Sequence, residues 1–323
     1  MNVIDAFGDY QKIVNADEKQ VQTARERRDL FKDALASEPD VVEVRPSGSL
    51  ARGTHKDPIH DVDTIVVYDQ AAHPDWGQAG DSAEEALNHT QTRVRERLGT
   101  DGTFSPGAVR LTRWRNHAVK CFLDEPEDPN AFTVDAMPAL LVDGQYLVPE
   151  FATKTWIVTD PQHLIDEVAA RHAVWSKYAG TVRMLKAWAA THSTQSAPIK
   201  SLVMEVLALE FLPTGRTRPV ALRDFFTAAT FQIENGLVVA DPADLCGPIQ
   251  PDLDYDAFLD CLRHARDEAI RACSAQARGD DAATITCWGN IFGSDFPKPP
   301  KTSPAPAVVP PVLPRPVKDT PQG

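Results

Sequence analysis

The 323-residue chain has no stretch of 18 or more apolar residues, so no membrane-spanning helix is expected. Its first twenty residues, "MNVIDAFGDYQKIVNADEKQ", lack a basic start followed by an apolar run, which argues against a secretory signal. Cysteine is sparse. The five residues, Cys121, Cys246, Cys261, Cys273 and Cys287, are scattered and contain no C-x-x-C pair. That pattern argues against a cysteine zinc site and suits reduced thiols in the cytoplasm. Positive charge is also short: 33 Lys and Arg against 46 Asp and Glu give a net charge of −13. Affinity for long nucleic acid is largely phosphate neutralisation, so an acidic chain is a poor general binder of it. The one basic run, Arg25-Glu26-Arg27-Arg28, reads as a solvated helix face. No internal repeat is present.

What the chain does have is enough apolar material, 42% of residues, for one large or two medium domains with a real core. Helical spacing runs from residue 9 to 36, with a break expected near Asn15 and an end at Pro39. "VVEVRPSGS" and "DVDTIVVYD" read as strands, and residues 82–98 as a polar helix stopped by Gly99. "AVRLTRWRNHAVKCFL" reads as two strand segments. "AFTVDAMPAL" reads as another strand, pairing back across the turn "EPEDPN". Beyond residue 160 the pattern becomes helical: 162–192, "KSLVMEVLALEFL", "VALRDFFTAATFQIENG" and "YDAFLDCLRHARDEAIRACSAQARG". Residues 297–323 hold ten of the 26 prolines and read as an extended tail. The expected fold is α+β: residues 1–160 a mixed-sheet core with a long N-terminal helix, 161–296 a helical lobe, 297–323 a Pro-rich tail.

The chemistry concentrates in "PSGSLARGTHKDPIHDVDTIVVYD", residues 46–69. On a strand, residues i and i+2 share a face, so Asp61 and Asp63 project together while Val62 faces the core. Two carboxylates so placed repel unless a cation is shared, and Mg²⁺ takes oxygen ligands while leaving positions for substrate phosphates. Just upstream, Gly48 permits a close backbone approach, and Ser49 offers a hydroxyl and an N–H to an anion. The pair suits the triphosphate of a nucleotide. Asp135, in "FTVDAMPAL", reads as the third carboxylate of a two-metal site. His55 and His60 lie nearby without metal-ligand spacing and read as polar loop residues.

"GSLARGT…DVD" followed by "VDAMP" resembles the nucleotidyltransferases with a DNA polymerase β-like palm. "LKAWAATHSTQSAPIKSLVMEVL", "ADPADLCGP" and "WGNIFGSDFP" resemble the bacterial CD-NTases of CBASS anti-phage defence, relatives of cyclic GMP-AMP synthase and oligoadenylate synthase. The resemblance spans residues 1–296. It implies two lobes with the active-site cleft between them, and two Mg²⁺ ions (Mn²⁺ an expected substitute) on Asp61, Asp63 and Asp135. It also implies NTP substrates, ATP included, joined into a cyclic di- or trinucleotide with release of pyrophosphate. By the same resemblance Lys186, Lys200 and Ser201 contact phosphates from the helical lobe. On sequence alone Lys186 flanks an apolar stripe, where a snorkelling lysine is the alternative, and Ser201 is expected to cap the helix after Lys200. The resemblance further implies operon-encoded conjugation or regulatory proteins and a downstream effector, with Gly323 as a conjugation point. The animal enzyme's zinc-binding, DNA-holding insertion has no counterpart, in keeping with the acidic charge. Two other readings stay open: a nucleotidyltransferase acting on an RNA end or a protein, and an inactive nucleotide-binding scaffold.

Overall fold

The computed structural model describes residues 1–299; the tail from residue 300, including Gly323, lies outside the described residues. The N-terminal helical stretch divides near Asn15, where a break is expected, into α1 (Val3–Val14) and α2 (Glu18–Leu35). Each restarts on a side-chain cap, Asn2 accepting from the Asp5 N–H and Asp17 from that of Gln20, which satisfies donors that the first turn leaves free. The basic run on α2 is paired in part: Arg27 holds Asp124 at 3.0 Å and Arg28 holds Asp29 at 2.7 Å.

Seven strands follow in one sheet: β1 (Val41–Ser47), β2 (Asp61–Tyr68), β3 (Leu111–Trp114), β4 (Val119–Phe122), β5 (Thr133–Val142), β6 (Gln145–Glu150) and β7 (Thr155–Thr159). The order β1-β2-β5-β4-β3 is antiparallel except for the parallel pair β2–β5. Beyond β4, the far half of β5 pairs with β6, which pairs with β7. A four-residue helix α3 (Gly48–Ala51) follows β1, and α4 (Ser82–Leu98) covers one sheet face with α2. Their shared core includes Phe31, Leu35, Val62, Val66, Val94 and Val134.

The helical lobe comprises α5 (Pro161–Val174), α6 (Tyr178–His192), α7 (Ser201–Phe211), α8 (Arg218–Glu234), α9 (Tyr255–Ala277) and α10 (Asp281–Phe292). The apolar repeat over 162–192 is thus two helices. The chain turns extended at Trp175, φ −143° and ψ 99°, whose ring is buried in the core. Helix α1 also belongs to this lobe's core: Phe7 meets Trp288, Phe292 and Phe296 edge-on, with ring centroids 5.1–6.0 Å apart. Packing closes at Phe296, where the Pro-rich composition begins. Among the described residues no helix is long and apolar enough to cross a membrane.

Candidate active site

The parallel register of β2 and β5 sets Asp61 opposite Thr133 and Asp63 opposite Asp135. Adjacent strands lie about 4.8 Å apart, so the three carboxylates share one face of the sheet at the start of both strands. Val62 and Val134, between them, are fully buried on the other face. Asp61 is exposed, while Asp63 and Asp135 are half-buried. Burial raises the Asp63 carboxyl to about 7, with the charges of Asp61 and Asp135 adding to it against Arg52 and Lys186. Burial also raises Asp135, opposed by Lys120, which sits directly opposite it on β4. The Oδ1 atom of Asp135 is buried with no hydrogen-bond partner. An orphaned carboxylate oxygen beside two further carboxylates is a donor set that fits a divalent cation.

Gly48 is fixed by this arrangement. Its φ is +69°, and a Cβ there would stand 1.7 Å from Asp63 Oδ2. No other residue can hold the backbone so close to the carboxylate without strain or clash. Ser49 follows at once, so the Gly-Ser pair forms the edge of the carboxylate cluster. The "turn" of the sequence is the start of α3.

Behind α3 the chain is held by the helical lobe. Glu205 on α7, almost wholly buried, accepts from Arg52 Nε at 2.8 Å, Arg52 Nη2 at 3.2 Å and Thr54 Oγ1 at 2.6 Å. It also accepts from Lys186 Nζ at 2.8 Å, and that amine donates a second bond to the Thr54 carbonyl at 3.0 Å. Burial opposes ionisation of Glu205, but Lys186 and Arg52 outweigh it and hold its carboxyl at about 2. Arg183 donates to the Gly53 carbonyl at 2.9 Å and to Asn15 at 2.6 Å. Lys186 is therefore not a snorkelling surface residue: it is buried and its amine is engaged by protein groups. Lys200 and Ser201 stand exposed at the start of α7. The N-cap is Lys200, with no side-chain capping bond, so Ser201 is the first helical residue and not the cap. His55 is half-buried against the Ser49 main chain, and burial together with Arg183, Lys186 and Arg25 lowers it to about 4. It stays neutral at physiological pH.

Sequence reasoning missed Lys120, Arg52 and Glu205. Lys120 alternates with buried Val119 and Cys121, which marks it as facing the polar side of the sheet, but its partner appears only with the strand register. Arg52 and Glu205 are 153 residues apart, and no local pattern joins them.

No family profile matches the chain. It is 26% identical to the cyclic AMP-AMP-AMP synthase of Escherichia coli (strain MS 115-1), over 88% of this chain and 92% of that protein. It is 24% identical to a probable cyclic nucleotide synthase of Bacillus cereus (strain VD146), over 88% and 94%. Among solved structures it superposes on E. coli MS115-1 CdnC with ATP at a TM-score of 0.69, with 20% identity and 92% and 99% coverage. CdnC is also solved in complex with HORMA-deltaN. The chain has the CD-NTase fold and is similar in sequence to cyclic nucleotide synthases. The CD-NTase CdnG of Bradyrhizobium diazoefficiens, in complex with GTP, matches at 0.66 with only 10% identity, covering 90% and 99%, so the shared frame outlasts the sequence. In this chain the mixed sheet carries the carboxylates and the helical lobe backs the Gly-Ser loop.

Proposed function

We propose that the chain joins nucleoside triphosphates, ATP among them, into a small cyclic oligonucleotide of two or three units and releases pyrophosphate. The observation that carries this reading is the Asp63–Asp135 register with Gly48 pressed against Asp63. Asp61 and Asp63 would hold one Mg²⁺ on the donor side, and Asp63 with Asp135 a second on the acceptor side. Bound there, the ions neutralise phosphate charge and acidify the attacking ribose hydroxyl. The chain's own residues do the rest. Gly48 and Ser49 hold the donor triphosphate beside the carboxylates, because Gly48 admits the backbone where any side chain would collide. Lys200 and Ser201, exposed at the start of α7, would contact the phosphates. Lys120 offsets the charge of Asp135. Lys186 acts through Thr54 and Glu205, holding the loop that follows α3 in place.

A role in anti-phage signalling, with a regulatory partner protein and a downstream effector, is part of the same proposal, as is a cytoplasmic site of action. Support for the partner comes from the CdnC complex with HORMA-deltaN. Conjugation through Gly323 is proposed from the tail sequence, and adducts formed with the neighbouring operon proteins are expected to vanish in Gly323→Glu.

Incubation with the four NTPs and Mg²⁺, read by mass spectrometry, tests the reaction. A cyclic product resistant to phosphatase is expected, and none from the folded Asp61→Asn/Asp63→Asn variant. A product that loses its terminal phosphates to phosphatase is linear and overturns the ring. Transfer to an RNA end or a protein in place of free nucleotide points to the macromolecular alternative.

A further inference from the structure

At the opposite end of β2 from the aspartates, three elements bring metal-ligating side chains together. Asp40 ends the turn between α2 and β1, His73 lies in the loop after β2, and His89 is on α4. The Nε2 atoms of both imidazoles converge on one oxygen, Asp40 Oδ2, at 3.0 Å for His73 and 2.7 Å for His89. All three ligand atoms lie within 4.8 Å of one another. The other oxygen, Asp40 Oδ1, is buried and has no hydrogen-bond partner. We propose that Asp40, His73 and His89 form a second, structural metal site that takes a transition-metal dication, Zn²⁺ above all.

The geometry is close to what such an ion needs. Zn–N and Zn–O bonds of about 2.0–2.1 Å in a tetrahedron put ligand atoms about 3.3 Å apart. The Oδ2–Nε2 separations have to open by only a few tenths of an ångström, and Oδ1 or a water completes the shell. The donor set selects the metal. Two imidazoles and one carboxylate suit Zn²⁺ and its neighbours, whereas Mg²⁺ and Ca²⁺ prefer oxygen throughout. The surroundings fit as well. Trp76 stacks on His73 at 3.9 Å and Tyr68 meets His89 edge-on at 5.3 Å, so both rings are held in place by an apolar wall. Arg93 is the nearest cation, 3.8 Å from Asp40 Oδ1, but it is shared with Glu38 and Glu96, each at 3.3 Å. Arg97 also pairs with Glu38 at 3.2 Å. Three carboxylates against two guanidinium groups leave the pocket net negative around the two imidazoles. From Asp63 to Tyr68 the strand rises about 16 Å, so the site is separate from the carboxylate cluster. The ion would pin the start of β1, the loop after β2 and α4 to one another. No spacing in the sequence announces it, because its ligands are 33 and 16 residues apart.

The test uses the full chain carrying Asp61→Asn/Asp63→Asn, so that the catalytic carboxylates cannot compete, after dialysis against a chelator. Calorimetric titration with Zn²⁺ is expected to give one tight site per chain. His73→Gln and His89→Gln are each expected to weaken it at least about tenfold. X-ray absorption at the zinc edge, on the chain with both histidines intact, does not depend on the variants folding; two imidazole ligands and at least one oxygen are expected. A zinc shell without two imidazoles, no tight site, or an affinity unchanged in both histidine variants overturns the proposal and leaves Asp40 as a shared hydrogen-bond acceptor.

Discussion

Asp63 carries more constraint than any other residue of the candidate active site. Its carboxyl is raised from an ordinary 3.8 to about 7 by burial and by two neighbouring carboxylates. Without metal, the folded chain therefore binds a proton there that the unfolded chain has already released. Stability from this group is full below about pH 4 and is lost as pH rises through 7. Metal-free chain is thus expected to melt lower at pH 8 than at pH 6, with the difference reduced in Asp63→Asn and reversed by added Mg²⁺. Calorimetric melts across that window check it; a variant with an unchanged pH slope sinks the assignment. Gly48 is the counterpart. Gly48→Ala forces a Cβ onto Asp63 Oδ2 at a φ that alanine avoids, so a loss of about 1–3 kcal/mol is expected by denaturant titration. Nucleotide synthesis should fall with it, and a fully active Gly48→Ala chain would show that the loop is free to move. These residues were legible because the signal is local: strand alternation puts Asp61 and Asp63 on one face whatever surrounds them. The role of Lys186 was not legible. Its helical stripe shows that it borders the core, but whether the amine escapes to solvent depends on Glu205, which the sequence does not place beside it.

At the level of elements, strongly periodic segments were read correctly and the irregular joins were not. Helix α4 ends at Gly99 as its stop signal implies, and the β4–β5 hairpin forms across "EPEDPN". Strands β6 and β7 were missed, although Asp143-Gly144 between apolar runs is a strong hairpin signal; both residues take positive φ, 51° and 83°. The break at Trp175 escaped because the apolar spacing continues across it while the backbone does not. Helix α1 shows what sequence order conceals. It precedes the sheet in the chain yet packs its apolar face on α6 and α10, because Phe7 and Tyr10 find Phe292 and Phe296 there. Phe7→Ala is accordingly expected to cost about 3–5 kcal/mol in chemical denaturation, as a fully buried ring leaving a cavity does. A loss under about 1 kcal/mol would mean that α1 is peripheral to the helical core.

For the whole molecule the decisive contact is the buried one between the lobes. Glu205 on α7 accepts from Arg52, Thr54 and Lys186, and Thr54 in turn donates its N–H to the Ser49 carbonyl at 2.9 Å. The loop that carries Gly48 and Ser49 is thus set by the helical lobe as well as by the sheet. Isolated ion pairs at a surface add little, but this one is dry, and removing one partner strands the others. Glu205→Gln keeps the shape and removes the charge, leaving Arg52 and Lys186 buried without a counterion. A loss of about 3–5 kcal/mol is expected. ATP affinity, measured by calorimetry with Mg²⁺, should weaken as well, since the loop is no longer held. The pH dependence has the opposite sign to that of Asp63. A carboxyl held at about 2 contributes stability that is complete above its ordinary 4.5 and disappears as pH falls toward 2, so the wild type should lose stability in that window faster than Glu205→Gln. A second variant separates packing from charge. Glu205→Leu with Lys186→Met and Arg52→Met replaces the ions by apolar groups of similar bulk, so it should recover much of the stability. Recovery of ATP affinity to the wild-type value in that triple variant would show that the charges do not position the loop. Stability regained without affinity is the expected result, and it would make the contact between the lobes part of the substrate site rather than a fastening beside it.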